Sequence, residues 1–196
     1  MRRLIDNSFE ENFLATIGID FRTISYEYNK KKYKIKIFDT AGQVRFRSQY
    51  ERYLRNLDIL LFLFDLSIEN SIEIDYFNLT LENIDKTKTL IYLIGNKLDI
   101  TKKYIFNYRK QAKLLYDNEK IDKYFEVSSK SGEGIDELKN VLKIDSASII
   151  DNSLENKANP TPKLTRSQFE KLWREYKIKS FNILNGKQKL NKYLNY

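Results

Sequence analysis

Leu90-Ile91-Tyr92-Leu93-Ile94-Gly95-Asn96-Lys97-Leu98-Asp99 is an apolar run that ends abruptly in a polar tetrad. Short continuous apolar runs bounded by polar residues suit strands buried on both faces of a sheet. The run from Thr89 to Ile94 fits that description, and so does Ile59 to Phe64; Tyr124 to Val127 is a shorter third. Working outward, 45–55, 71–83, 106–118 and 134–143 read as helices. Asp20 to Tyr28 and Lys32 to Phe38 alternate with period two on either side of Asn29-Lys30-Lys31, a hairpin signal. Strands alternating with helices predict an α/β fold with a mostly parallel sheet covered by helices on both faces.

The chain has 196 residues, enough for one domain with a core and some extra. With 41% hydrophobic residues it is not a disordered composition. It has no Cys and no His, so disulfides, thiolate metal sites, thioether lipidation and Ser-His or Cys-His pairs are excluded. No apolar run approaches the roughly 20 residues of a membrane span, and no signal peptide opens the sequence; an intracellular protein, cytoplasmic or peripheral on endomembranes, is expected. Most of the net charge of +8 sits in the last quarter, where Lys143 to Tyr196 carries eleven Lys/Arg against five Asp/Glu. A basic tail favours an acidic partner such as a membrane surface; nucleic acid is disfavoured because the tail has no dense Lys/Arg cluster.

In an open α/β sheet, ligands bind at the carboxyl ends of the strands. Three loops fall there. In Asp39-Thr40-Ala41-Gly42-Gln43, the carboxylate can hold hydrated Mg²⁺ beside phosphate oxygens, the Gly lets a backbone N–H approach a terminal phosphate, and the Gln amide can orient an attacking water. In Asn96-Lys97-Leu98-Asp99, the last carboxylate can accept two hydrogen bonds from the N1–H and exocyclic amine of guanine, a pair that adenine does not offer. The Lys97 stem can cover the flat face of the base. In Ser128-Ser129-Lys130, a backbone N–H can reach the guanine carbonyl oxygen. Upstream, Thr16 stands in Thr16-Ile17-Gly18-Ile19-Asp20-Phe21, where its hydroxyl can reach Mg²⁺ and lose it on hydrolysis.

In this order and spacing, residues from about Ile5 to Leu142 resemble a small GTPase of the Ras superfamily, and the Rab family in particular. The Rab-like marks are Ile17 to Phe21, Lys34-Ile35-Lys36-Ile37-Phe38 before Asp39, Arg45-Phe46-Arg47-Ser48 after Gln43, and Asp6-Asn7-Ser8-Phe9. The resemblance implies a three-layer P-loop-NTPase-like sandwich that binds GTP or GDP with Mg²⁺ held through Thr16 and Asp39. Gln43 would be the catalytic residue. Effector and regulatory proteins would meet the switch regions at Ile17, Gly18, Ile19, Asp20 and an aromatic triad of Phe21, Phe38 and Tyr53. The implied role is a switch in vesicle traffic.

Two departures bear on that expectation. No Gly-Lys-Ser or Gly-Lys-Thr occurs in the 196 residues, so the family's phosphate loop and the first strand that carries it are expected to be missing; the hairpin would then lack a neighbour on the side facing Ile59 to Phe64. A pseudo-GTPase, or an incomplete copy, acting as a protein-binding module is the alternative. The prenylated Cys is also absent, leaving membrane contact to the basic tail. Residues 1–143 are expected to be the Rab-like domain, 144–163 a polar linker, and 164–196 a basic tail. In that tail Thr165-Arg166-Ser167-Gln168 resembles a capping box ahead of an apolar stripe of Phe169, Leu172, Trp173 and Tyr176. The segment from Ser180 to Leu184 is a candidate to fill the gap in the sheet.

Overall fold

The computed structural model describes residues 1–11, 15–46 and 53–155. In chain order the elements are α1 (Arg2–Asp6), β1 (Ile19–Tyr28), β2 (Lys31–Thr40), a 3-10 turn (Val44–Phe46), β3 (Ile59–Asp65), α2 (Ile74–Glu82), β4 (Leu90–Asn96), α3 (Ile105–Asp117), β5 (Lys123–Glu126) and α4 (Ile135–Glu155). The expected tail helix, the 180–184 segment, and residues 47–52 of the expected 45–55 helix lie outside the described residues.

β1 and β2 form an antiparallel hairpin in which Phe21 lies opposite Phe38 and Tyr26 opposite Tyr33. Its two-residue turn is Asn29-Lys30, with φ of 50° and 62°. Positive φ at both central residues gives the twist that joins antiparallel strands tightly. β3, β4 and β5 form a separate parallel sheet in that order.

The parallel sheet is the middle of three layers. On one face, the Phe62 ring packs edge-on against Phe77 of α2 at 4.9 Å, and Phe64 lies 4.6 Å from Tyr108 of α3. On the other face, Tyr92, Ile94, Phe125 and Val127 cluster with Ile135 and Leu138 of α4, and Leu4 of α1 packs against them. α3 buries Ile105, Tyr108 and Ala112, one stripe at helical spacing. α4 carries Asp136 and Glu137 in its first turn, where acids favour the helix dipole.

Two expectations need correction. β4 is buried as expected, but in β3 only Phe64 of the run 59–64 is buried, and Leu63 is 57% exposed. The reason is position: among the described residues β3 is hydrogen-bonded on one side only, to β4. Second, α4 does not stop at Lys143. It continues to Glu155 through residues assigned to the linker. The extension is held by the hairpin. The Tyr26 hydroxyl donates to the Lys143 carbonyl at 3.0 Å and meets the Ser146 hydroxyl at 2.6 Å, and the Tyr33 hydroxyl donates to Asp151 at 2.9 Å. These tyrosines stack on each other at 5.4 Å.

Glu126 ends β5 with its carboxylate buried, and Arg109 of α3 bonds both oxygens at 2.7 and 2.6 Å. Removing one partner of such a pair leaves an uncompensated buried charge. Arg109→Met is expected to lower unfolding free energy by about 3–5 kcal/mol in urea titration. Arg109→Met combined with Glu126→Leu is expected to recover most of that loss.

Candidate functional site

The carboxyl ends of the three parallel strands are stitched together beyond the sheet. The Leu66 N–H donates to the Asn96 carbonyl at 2.9 Å, and the Leu98 N–H donates to the Val127 carbonyl at 3.1 Å. The loops after β3, β4 and β5 are therefore one rigid rim. Two glycines permit the close approach. A Cβ on Gly95 would lie 2.6 Å from Leu66, and one on Gly134, at φ +74°, would lie 2.4 Å from the Glu126 carbonyl oxygen.

On this rim the Asn96 and Ser128 loops interlock. Asn96 Oδ1 accepts from the Ser129 N–H at 2.9 Å. The Ser128 hydroxyl donates to Asp99 Oδ1 at 2.5 Å and accepts from the Ser131 N–H at 2.9 Å. Ser128 is fully buried, whereas Asp99 is exposed. These bonds fix Asp99 with its second carboxylate oxygen unengaged among the described residues. Of the amides from Ser128 to Ser131, that of Lys130 alone makes no hydrogen bond among the described residues.

The sequence reading missed two supports of this corner. Arg3 of α1 donates to the carbonyls of Ser129 and Lys130, each at 2.7 Å. Asp65, at the end of β3, accepts the Lys97 ammonium at 2.7 Å. Lys97 sits at φ 67°, so its stem is set by backbone as well as by this ion pair. A carboxylate closing the apolar run Ile59 to Phe64 was the available signal for Asp65. Nothing in the local pattern marked Arg3, which acts across 126 residues.

The switch side is built by the hairpin. Asp39 and Thr40 end β2 opposite Asp20 and Ile19, and the Ala41 N–H donates to the Gly18 carbonyl at 2.8 Å. This ties Ala41 and Gly42 to the backbone two residues from Thr16. Asp39 is half-buried and faces Asp20 directly across the strands. Its carboxylate has no hydrogen-bond or ion-pair partner among the described residues. Like charges in that arrangement repel, and a hard cation relieves them. One carboxylate and one hydroxyl suit Mg²⁺, which takes few protein ligands and completes its shell with water and phosphate oxygens. A Cβ at Gly42 would meet nothing within 4 Å, so packing within the protein does not demand a glycine there. Gln43 is exposed.

On the outer face of the hairpin, Phe21, Phe38 and Tyr53 form a continuous aromatic group, with ring centroids 6.3 and 5.3 Å apart. Ile17 beside it in sequence is 82% exposed. The Lys36 ammonium lies 4.2 Å from the Phe21 ring and 5.0 Å from Phe38, a cation–π cap that the motif reading did not include.

The sequence profile of the Ras family matches residues 1–144. The chain belongs to the Ras family. It is 36% identical to Ras-related protein Rab-8B of Dictyostelium discoideum over 136 residues, covering 69% of this chain and 66% of that protein. It is 34% identical to Ras-related protein Rab-1A of the same organism over 143 residues, covering 69% and 66%. Human Ras-related protein Rab-30 is 31% identical over 140 residues, covering 70% and 68%. The chain thus spans about two thirds of the length of these curated relatives, and it is a Rab-like small GTPase in family. Proteins of this family bind guanine nucleotides, use Mg²⁺ with them, and meet effectors or regulators.

Within this Rab-like corner, burial alone would push the Asp65 carboxyl up, but the hydrogen bonds from Lys97 and Ser67 outweigh it and hold Asp65 below the usual carboxylate range. A depressed pKa stabilises the fold at pH above the ordinary carboxylate value, near 3.9, and the contribution fades as pH falls through the folded value. Lys97→Met leaves burial less opposed, so the Asp65 midpoint in a carboxyl-detected NMR titration is expected to move up. An unchanged midpoint would show that the Lys97–Asp65 pair is not formed in solution.

Proposed function

We propose that the chain binds guanine nucleotide with Mg²⁺ and acts as a Rab-like switch in vesicle traffic. The observation that carries the reading is the hydrogen-bonding capacity left over at Asp99 and at the Lys130 amide. The Ser128 hydroxyl fixes Asp99, which leaves one carboxylate oxygen free beside a loop whose Lys130 N–H is free as well. Asp99 accepts the N1–H and exocyclic amine of guanine, and the Lys130 N–H donates to the guanine carbonyl oxygen. Adenine presents the opposite pattern and would leave a carboxylate unpaired. Lys97, held by Asp65, covers the base with its stem. Asn96 orders the loop through Ser129.

Thr16 and Asp39 hold the ion, which when bound supplies positive charge against the phosphate oxygens. The open surroundings of Gly42 support approach of its backbone N–H to a terminal phosphate. Thr40 and Ala41 position that amide, and Gln43 orients the attacking water. Loss of the terminal phosphate would release Thr16 and Gly42 from a common partner and loosen the surface of Ile17, Gly18, Ile19, Asp20, Phe21, Phe38 and Tyr53. That surface is the proposed effector contact, with Lys36 at its centre favouring acidic partners. The vesicle-traffic role rests on the Rab-named relatives.

The 196 residues contain no Gly-Lys-Ser/Thr phosphate loop. Four or more charge-assisted hydrogen bonds, at about 1.5–3 kcal/mol each, are worth roughly four or more powers of ten in affinity. Binding by these residues is therefore expected to lean on the base. Titration with fluorescent methylanthraniloyl-GDP and its ADP counterpart tests this. Guanine preference over adenine, cut about a hundredfold by Asp99→Asn, is the expected result. Equal affinity for both bases would overturn the assignment of Asp99. No binding at all would leave the aromatic surface as the functional part of a protein-binding module.

A further inference from the structure

From Ile100 to Tyr116 the chain carries four lysines and one arginine and no acidic residue. Arg109 turns inward to Glu126, but the lysines Lys102, Lys103, Lys110 and Lys113 are exposed. Among them stand three large apolar side chains that the fold leaves in water: Phe106 at 77% exposure, Ile100 at 61% and Leu114 at 54%. Single exposed apolar residues are ordinary. These are not scattered. At 3.6 residues per turn, Phe106, Lys110, Lys113 and Leu114 fall within an arc of about 100° on α3, opposite the buried stripe of Ile105, Tyr108 and Ala112. Ile100, Lys102 and Lys103 lie in the loop that leads into the same helix.

Helix stability does not explain this arrangement. Acids favour the first turn of a helix and cations disfavour it, yet α3 has no acid in its first turn and follows directly on Lys102 and Lys103. Among the described residues the acids that oppose the patch are Glu69 near Lys103, Asp117, which takes Lys113 at 2.7 Å, and the exposed Asp99 at its edge, next to Ile100. Among the described residues neither Lys102 nor Lys110 has an ion-pair partner, so the centre of the face stays positive.

We propose that this face, Ile100 and Phe106 ringed by Lys102, Lys103 and Lys110, docks on an anionic lipid bilayer. Charge complementarity calls for a negatively charged surface, and a protruding phenyl ring calls for one that can also take up an apolar group; a bilayer with anionic headgroups is both. A single convex helix face offers an extended acidic peptide no groove to lie in.

Sedimentation of the full chain with vesicles of phosphatidylcholine, with and without phosphatidylserine, tests this. Binding is expected only with phosphatidylserine, and to fall with added salt. Near a charged bilayer each lysine contributes roughly fivefold. Lys102→Glu with Lys103→Glu is expected to weaken binding more than twentyfold, and Phe106→Ser about threefold to tenfold. Lys187→Glu, Lys189→Glu and Lys192→Glu in the tail together are expected to leave most of the binding intact. If the tail variant abolishes binding while the α3 variants do not, the tail is the anchor and the proposal is wrong. If the lysines matter but Phe106→Ser changes nothing, the ring does not enter the bilayer and an acidic macromolecule is the better partner. A second readout avoids dependence on charge-reversed variants: Phe106→Trp, with the single Trp173 replaced by Phe, should shift its emission to the blue on phosphatidylserine vesicles. An unshifted spectrum overturns the docking.

Discussion

The parallel register of β4 on β5 is the constraint from which the rest follows. It sets Ile94 beside Phe125 and Gly95 beside Glu126, and the ladder runs past the strands when Leu98 bonds to Val127. A one-residue slip of β4 would turn Tyr92 and Ile94 away from α4 and move Asn96 off Ser129. Core and site thus share one set of hydrogen bonds. The steric limit at Gly95 belongs to the same constraint, because Leu66 occupies the space that a side chain there would need.

The hairpin is a different kind of object. Among the described residues it shares no ladder with the parallel sheet, and it is tied to the rest by side chains. The two tyrosines reach α4 at one end, and Arg22 reaches Asp6 of α1 at 2.7 Å. Backbone ladders are cooperative and stiff; a few hydroxyl contacts are weaker and break singly. The corner proposed to read the base therefore sits on the stiffer half, and Thr16 and Asp39, proposed to hold the ion, on the half with more freedom. A nucleotide switch would need that division.

Most of the architecture was legible because its signals are local. The apolar runs marked β4 and β5, alternation marked the hairpin, and strand ends running into Asn96, Ser128 and Asp39 marked the loops. Three features were not legible, each for a physical reason. The extension of α4 depends on Tyr26 and Tyr33, which lie more than a hundred residues away, so the polar sequence after Lys143 looked like a linker. The exposure of Leu63 depends on which strands neighbour β3, and an apolar run reads the same at an edge as in the middle. The roles of Arg3 and Lys36 arise from spatial contact with backbone carbonyls and aromatic rings, which no spacing rule encodes.

The two halves of the candidate site also differ in what remains to be satisfied. In the corner proposed to read the base, Ser128 is already paired with Asp99, Asn96 with Ser129 and Asp65 with Lys97, so little reorganisation would accompany base binding. On the hairpin side, Asp39 faces Asp20 with no ion-pair partner among the described residues, and a Cβ at Gly42 would meet nothing within 4 Å. Base identity would then be read by fixed geometry. The order of the switch would come from the charge of what binds there, since a divalent ion and phosphate supply the interactions that the hairpin does not make for itself. On the proposed reading, such a division would let a nucleotide's phosphates change the aromatic surface without disturbing recognition of its base.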